Sequence, residues 1–510
     1  MKNIINSFLL AISLLFVTGC ADFLDRAPLS DMSPATYFAN KGDMKAWLAG
    51  TYDSYQATLS LGQLEWGDIR SDNYHTTSYD DGKAYMNAIE STQGQYSWDD
   101  LYKTIDRCNV AIERFPNVPG TVEGDWSDYV GQAYGMRAFM YFYAIRVWGD
   151  VPLITKPWDG NIESSYVTRT PVAEVKAQIL SDLDKATHML STSVAGDRKF
   201  YFNLAAAWAL KIDVDMWFKE YQNAVNDFDA YFKNNSNYGL VASADEWKNI
   251  FLSPTDSKET ILNMAWSYES DGANPWAQRV GASNTNNPYK VSEGIFAEFV
   301  SRLRSGKGAD GRFWNVLDTV KMYYGGDKAP ISTSHWLINA NAGVEKNTKY
   351  SEVDLTSTTS HWLILSSSNC DIKPSLYRYA DVLLLKAEAL NQLGKATEAL
   401  QIVNQIRNRV GYLADATTEV NITDKKAVES VILLERQLEF MAEGKRWFDL
   451  VRTGRVVEVM DPILKARQED AGVVPTGFGD EGRILCPIYY REFESNPALK
   501  GHQNPPYTEG

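Results

Sequence analysis

The sequence predicts a mainly α-helical protein: helix pairs in a superhelical bundle, interrupted by a large irregular, loop-rich region with small β hairpins. Three observations carry this. Apolar residues recur every three or four positions through 41–233 and again from 377 onward, the spacing that lines one face of a helix. Two helix–turn–helix units of similar composition occur at 203–232 and 378–411. Between 234 and 376 the period is mostly lost, and Asn, Ser, Gly, Thr and aromatic residues take over.

The chain opens with Lys2 and the apolar run Phe8–Phe16, closed by Val17-Thr18-Gly19-Cys20. A basic start, an apolar middle and small residues before a cut are the parts of a secretory signal. The run is too short to span a bilayer comfortably. With a cysteine directly after the small residues, it resembles the lipobox of bacterial lipoproteins. That resemblance implies removal of residues 1–19 and lipid on Cys20; an ordinary signal peptide cut elsewhere is the alternative. Residues 20–40, with Pro28 and Pro34, read as an extended tether, and 41–510 as one domain.

Within that domain a helix is expected at about 43–61, its face formed by Met44, Trp47, Leu48, Tyr52, Tyr55 and Leu59. Residues 62–96, rich in Gly, Asp, Ser, Thr and Tyr, read as a long loop, and long loops in compact proteins tend to be functional. Ser97 is placed to cap the next helix, with Asp99 and Asp100 in its first turn. A helix over 124–148 stops at Gly149, as a C-terminal glycine should. Thr170-Pro171 opens another, with Thr as cap. The units at 203–232 and 378–411 resemble the tetratricopeptide pattern, in which stacked helix pairs bury their faces against neighbours. Ser334-His335-Trp336-Leu337-Ile338 and Ser360-His361-Trp362-Leu363-Ile364 alternate as strands do. From Leu434 to Arg452 acids and bases alternate at helical spacing, which reads as ion-pair wiring between packed helices.

Charge excludes some functions. The net charge is −15, and nucleic acid and anionic headgroups both call for basic surface. Cys20, Cys108, Cys370 and Cys486 include no CxxC pair. With Cys20 carrying lipid an odd number remains, which is no disulfide framework. Cys108, on an apolar helix face, reads as core. The five histidines form no HExxH, and there is no GxSxG, P-loop or GxGxxG after a strand, so no catalytic residue and no cofactor is assigned. Paired carboxylates abound, but their separation in space decides whether they hydrolyse glycosides.

Several motifs then agree: the lipobox followed by Ala21-Asp22-Phe23-Leu24-Asp25; Arg137-Ala138-Phe139; Trp148-Gly149-Asp150-Val151-Pro152-Leu153; Arg378-Tyr379-Ala380-Asp381 through Ala389; Asn404-Gln405-Ile406-Arg407; Glu435-Arg436 with Glu439; Gly444-Lys445-Arg446-Trp447-Phe448-Asp449; and Gln503-Asn504-Pro505. As a set they resemble the SusD/RagB family of surface lipoproteins. The resemblance implies a glycan-binding protein of the cell outer membrane, not an enzyme. It would pass oligo- or polysaccharide to a SusC-like TonB-dependent transporter. A peptide-binding lid of a RagA-like transporter is the alternative, and a surface hydrolase a remote one.

A sugar site needs exposed rings with polar neighbours. The sequence carries 15 Trp and 28 Tyr, many in polar stretches. Two of these supply candidates. One is the 62–96 loop, with Trp66, Asp72, Asn73, Tyr74, His75 and Tyr79 and, beside them, Asp68 and Arg70. The other is the middle region, with Trp266, Trp276, Asn287, Tyr289, Trp314 and Trp336. Trp98 reads as core.

Overall fold

The computed structural model describes residues 37–76, 82–194, 196–247, 249–272, 274–280, 289–313 and 372–509. The signal peptide, Cys20 and its tether up to residue 36, Cys370, and the expected strands at 334–338 and 360–364 lie outside the described residues.

Helix α1 (Lys41–Leu64) buries Met44, Leu48, Tyr55 and Leu59. It runs past the predicted end and passes into a π-helical turn, Glu65–Ile69. The first part of the expected loop is therefore helical. The reason is packing far along the chain: a Cβ at Gly67 would stand 1.9 Å from the Gly444 carbonyl oxygen. Gln63 Nε2 donates to the carbonyls of Glu443 (2.9 Å) and Ser375 (3.0 Å). Gly444 itself adopts φ +69°, a conformation that favours glycine.

Helices α2 (Asp99–Arg114), α3 (Glu123–Trp148) and α4 (Val172–Met189) form the next layer. The flanking residue of α2 is Trp98, not the expected Ser97, and carries no side-chain cap; Ser97 Oγ, one residue earlier, accepts from the Asp99 amide at 3.2 Å. Gly149 ends α3 with φ +76°. The cap of α4 differs from expectation. Pro171 is the flanking residue, and the Val172 amide donates to Asp150 Oδ1 at 2.8 Å. A carboxylate from the end of α3 thus replaces the Thr170 hydroxyl. Arg137 pins α3 to α4 with a fork on Asp182, at 2.8 and 2.6 Å. Trp98 and Cys108 are in the core as read, and burial pushes the Cys108 thiol well above its ordinary range.

The repeated units appear as α5 (Leu204–Trp217) with α6 (Tyr221–Tyr231), and α8 (Tyr379–Gln392) with α9 (Ala396–Arg409). Between them, α7 (Glu293–Arg304) is a helix where an irregular stretch was expected. Its buried stripe is Ile295, Phe296, Phe299 and Arg302. Among the described residues, two small antiparallel sheets join strands distant in sequence. β1 (Tyr74–Thr76) pairs antiparallel with β3 (Tyr289–Val291), and β2 (Thr260–Asn263) with β4 (Ser375–Arg378).

Helices α10 (Lys425–Glu439), α11 (Arg446–Arg452) and α12 (Val456–Asp470) close the bundle. The alternating charges here are wiring, as read. Glu435 receives Arg302 (3.0 Å), Arg312 (2.7 Å) and Arg407 (2.9 Å). Glu439 receives Arg312 (3.0 Å), Arg378 (2.5 Å) and Arg409. All these side chains are buried. Burial opposes their ionisation, and the surrounding guanidinium groups overcome it: Glu435 is held far below, and Glu439 down to about 2. Removing one member of such a set costs about 3–5 kcal/mol, because it strands the others in low dielectric. Arg302 and Arg312 belong to the middle region, so the network fixes that region to the scaffold.

Candidate functional site

The two stretches singled out in the sequence meet at the β1–β3 sheet. Tyr74 pairs with Val291, His75 with Lys290, and Thr76 with Tyr289. The Ser292 amide extends the pairing with a 2.9 Å bond to the Asn73 carbonyl. Beside this sheet, between α7, α10 and α12, lies a cavity of about 540 Å³. Asp72, His75, Tyr85, Glu293, Arg467 and Asp470 are among its lining residues. A volume of this order suits a small ligand.

Arg467 organises the wall. Its guanidinium lies 3.8 Å from the centre of the Tyr85 ring. It donates to the carbonyls of Tyr85 (2.8 Å), Ser71 (2.9 Å) and Tyr74 (3.0 Å). Burial lowers its pKa from the usual guanidinium value. Asp72 takes a fork from Arg446, both bonds 2.8 Å. Burial opposes its ionisation, but the Arg446 charge prevails and holds the carboxyl below its ordinary range. His75 Nδ1 lies 3.1 Å from the Tyr85 hydroxyl. Beneath the strand, Asp68 accepts from Asn73 Nδ2 (2.6 Å) and the Tyr74 hydroxyl (3.0 Å). Burial pushes Asp68 up to about 7, against those two bonds. The cavity therefore offers carboxylates and an imidazole to hydroxyl or amine donors, on a wall held rigid from behind.

The predicted rings are mostly not at this surface. Trp66 is 4% exposed, Tyr74, Trp276 and Tyr289 1%, and Trp266 7%. A ring so covered has no face to offer a sugar, so their reading as platforms is corrected. Trp66 donates Nε1 to the Gln95 carbonyl and packs on Trp148. Trp266 donates to the Gly272 carbonyl, and Tyr74 meets Tyr289 edge to face at 6.0 Å. Asn73 is also fully buried; its side-chain oxygen accepts from Gln437 Nε2 at 2.9 Å. Asp68 and Arg70 are buried, the latter 4.0 Å from the Trp447 ring centre. Asp72, His75 and Tyr74 do line the cavity, Tyr74 with its side chain covered. Tyr79, Asn287, Trp314 and Trp336 lie outside the described residues. Among the described residues no three His, Cys, Asp or Glu side chains gather as a metal set.

Sequence reasoning missed Tyr85, Glu293, Arg467 and Asp470. Arg467 carried a usable signal: a cation on the otherwise apolar face of Val456, Met460 and Leu464. It also missed Trp158, whose ring is 62% exposed in the Asp159-Gly160-Asn161 turn.

Comparison with known proteins agrees with this architecture. Residues 339–507 match the SusD family, and residues 22–212 match a family described as starch-binding associating with outer membrane. SusD-like protein P38 of Formosa agariphila is 33% identical over 99% of both chains. A SusD-like protein of Bacteroides ovatus is 22% identical over 87% of this chain and 81% of its own. Among solved structures, a laminarin binding SusD-like protein superimposes with a TM-score of 0.70 at 22% identity, covering 92% of this chain and all of the other. B. fragilis NanU gives 0.71 at 21% identity, covering 95% and 100%.

Proposed function

The chain belongs to the SusD family, and from that premise we propose that it captures an oligo- or polysaccharide in the cavity beside β1 and β3 and delivers it to a SusC-like TonB-dependent transporter. Lipid on Cys20 would hold it at the outer face of the outer membrane. The observation that carries the reading is the β1–β3 pairing, which turns two sequence-distant polar stretches into one walled cavity. Glycan capture is also supported by the starch-binding description of the matched family and by the laminarin-binding relative in fold.

Calorimetry with laminarin and maltodextrin oligosaccharides tests it. His75→Ala and Asp470→Ala are each expected to weaken binding about tenfold, the scale of one or two hydrogen bonds to a ligand. Binding of basic peptides with no response to any oligosaccharide would transfer the cavity to the peptide reading.

A further inference from the structure

The loop between α3 and α4 presents an unusual side chain for a solvent-exposed position. Trp158 is 62% exposed, Ile162 62% and Tyr166 37%. None of the residues lining the cavity comes from this loop or from α2, on which it rests.

The loop is held in place. The Trp158 amide donates to Asp106 Oδ1 of α2 at 2.9 Å, and its indole Nε1 to the Asn161 carbonyl at 3.2 Å. Asp159 Oδ1 accepts from the Asn161 amide (2.9 Å) and the Ser164 hydroxyl (2.7 Å). Asn109 Nδ2 holds the carbonyls of Ile154 and Lys156 at 3.2 and 3.0 Å. Asn496 Nδ2 holds that of Val167 at 2.8 Å. The indole is thus a fixed, outward platform, and a fixed ring loses little further freedom when something docks on it.

Size and charge indicate the occupant. The three apolar side chains expose roughly 300–400 Å² together, from about 150–250 Å² for a whole aromatic side chain. That falls short of the roughly 450 Å² of apolar area within the ~800 Å² each partner contributes to a stable protein interface. A membrane surface calls for basic residues around the aromatic ones, whereas the Trp158 amide is held by the Asp106 carboxylate and Asp159 follows it in the turn. One pyranose ring fits both facts. Its C–H face covers an indole, and its hydroxyls donate to the flanking carboxylates.

We propose that Trp158 is the platform of a second carbohydrate-binding site, built from residues that do not line the cavity, which takes a pyranose unit of a long polysaccharide chain. This rests on the glycan reading above, and adds that a polymer is held at two places.

The test is native electrophoresis of the full-length protein in gels containing laminarin or soluble starch, paired with calorimetry on short oligosaccharides of the same polymers. Trp158→Ala is expected to weaken retention by the polymer about tenfold while oligosaccharide binding in the cavity stays as in the wild type. Trp158→Tyr should restore most of the retention. Melting curves of both variants should overlay the wild type, since the side chain is exposed. Polymer retention of Trp158→Ala equal to wild type overturns the proposal. So does a wild type that binds oligosaccharides but is not retarded by either polymer, and there the cavity reading survives. A wild type that binds neither form overturns both. Loss of transporter association in Trp158→Ala with polymer retention intact would overturn it in favour of a protein partner.

Discussion

Replacing Arg467 with Met keeps the apolar stem and removes the fork that ties Tyr85, Ser71 and Tyr74 together. Three charge-assisted bonds at about 1.5–3 kcal/mol each would suggest a loss above 5 kcal/mol. The variant no longer carries a buried charge, however, and that relief returns part of the loss. A net cost of about 3 kcal/mol follows. Roughly 400 described residues unfold with an entropy of about 0.8 kcal/mol/K, so the global melting temperature falls by only about 4 °C. The local effect is larger. Elements on the surface of a domain can open without global unfolding, and 3 kcal/mol would be about a hundredfold in the exchange protection of β1 and β3 amides. Hydrogen exchange followed by mass spectrometry on peptides covering 70–76 and 289–295 reads this directly. Arg467→Lys should recover little, because an ammonium cannot fork across three carbonyls. Unchanged protection in both variants would refute the claim that Arg467 holds the cavity wall.

Asp68 gives a pH prediction. Its folded pKa of about 7 lies above the unfolded value near 3.8, so the native state holds more protons between those values. Its stabilising contribution is present below about pH 4 and is lost as the pH rises to about 7, with a slope of at most about 1.4 kcal/mol per unit. Asp215 and Glu443, raised to about 8 and 7 by burial, act in the same direction. The isosteric Asp68→Asn variant isolates one of them: its stability relative to wild type should climb with pH across 4–7 and then level off in denaturant titrations. Gly67→Ala forces a carbon to within 1.9 Å of a carbonyl oxygen, which separates the π turn from the 443–445 turn; a loss of about 3 kcal/mol or more in the same titrations is expected. Cys20→Ala should release the folded protein into the soluble fraction with an unchanged melting temperature. A variant that stays membrane-bound in cells lacking the transporter would remove the tether from the account.

The helices with one apolar stripe were legible in the sequence because their partners lie on neighbouring elements. Leu101, Ile105 and Cys108 read as core and are core. The charged run from Leu434 to Arg452 was legible because acids and bases at helical spacing have few other uses. The aromatic residues of 66–76 and 266–289 were misread for a physical reason. Polar neighbours suggested exposure, yet Asp68 and Asn73 are themselves buried and satisfied. Their partners, Gln437 and the chain at Gly444, lie more than 350 residues away. No local pattern carries such a contact. Trp158 was overlooked for the opposite reason: a single ring in a short turn interrupts no period.

Among the described residues, Arg302 and Arg312 are the arginines of the middle region that join the scaffold's carboxylates Glu435 and Glu439. That sets where the molecule can be recombined. A chimera that exchanges the middle region with that of a relative must carry arginines matching Arg302 and Arg312 inside the transplanted segment. A border drawn between β3 and residue 313 that loses them leaves two glutamates buried without enough countercharge. The seam of such an exchange is thus electrostatic, set by buried ion pairs rather than by apolar contacts.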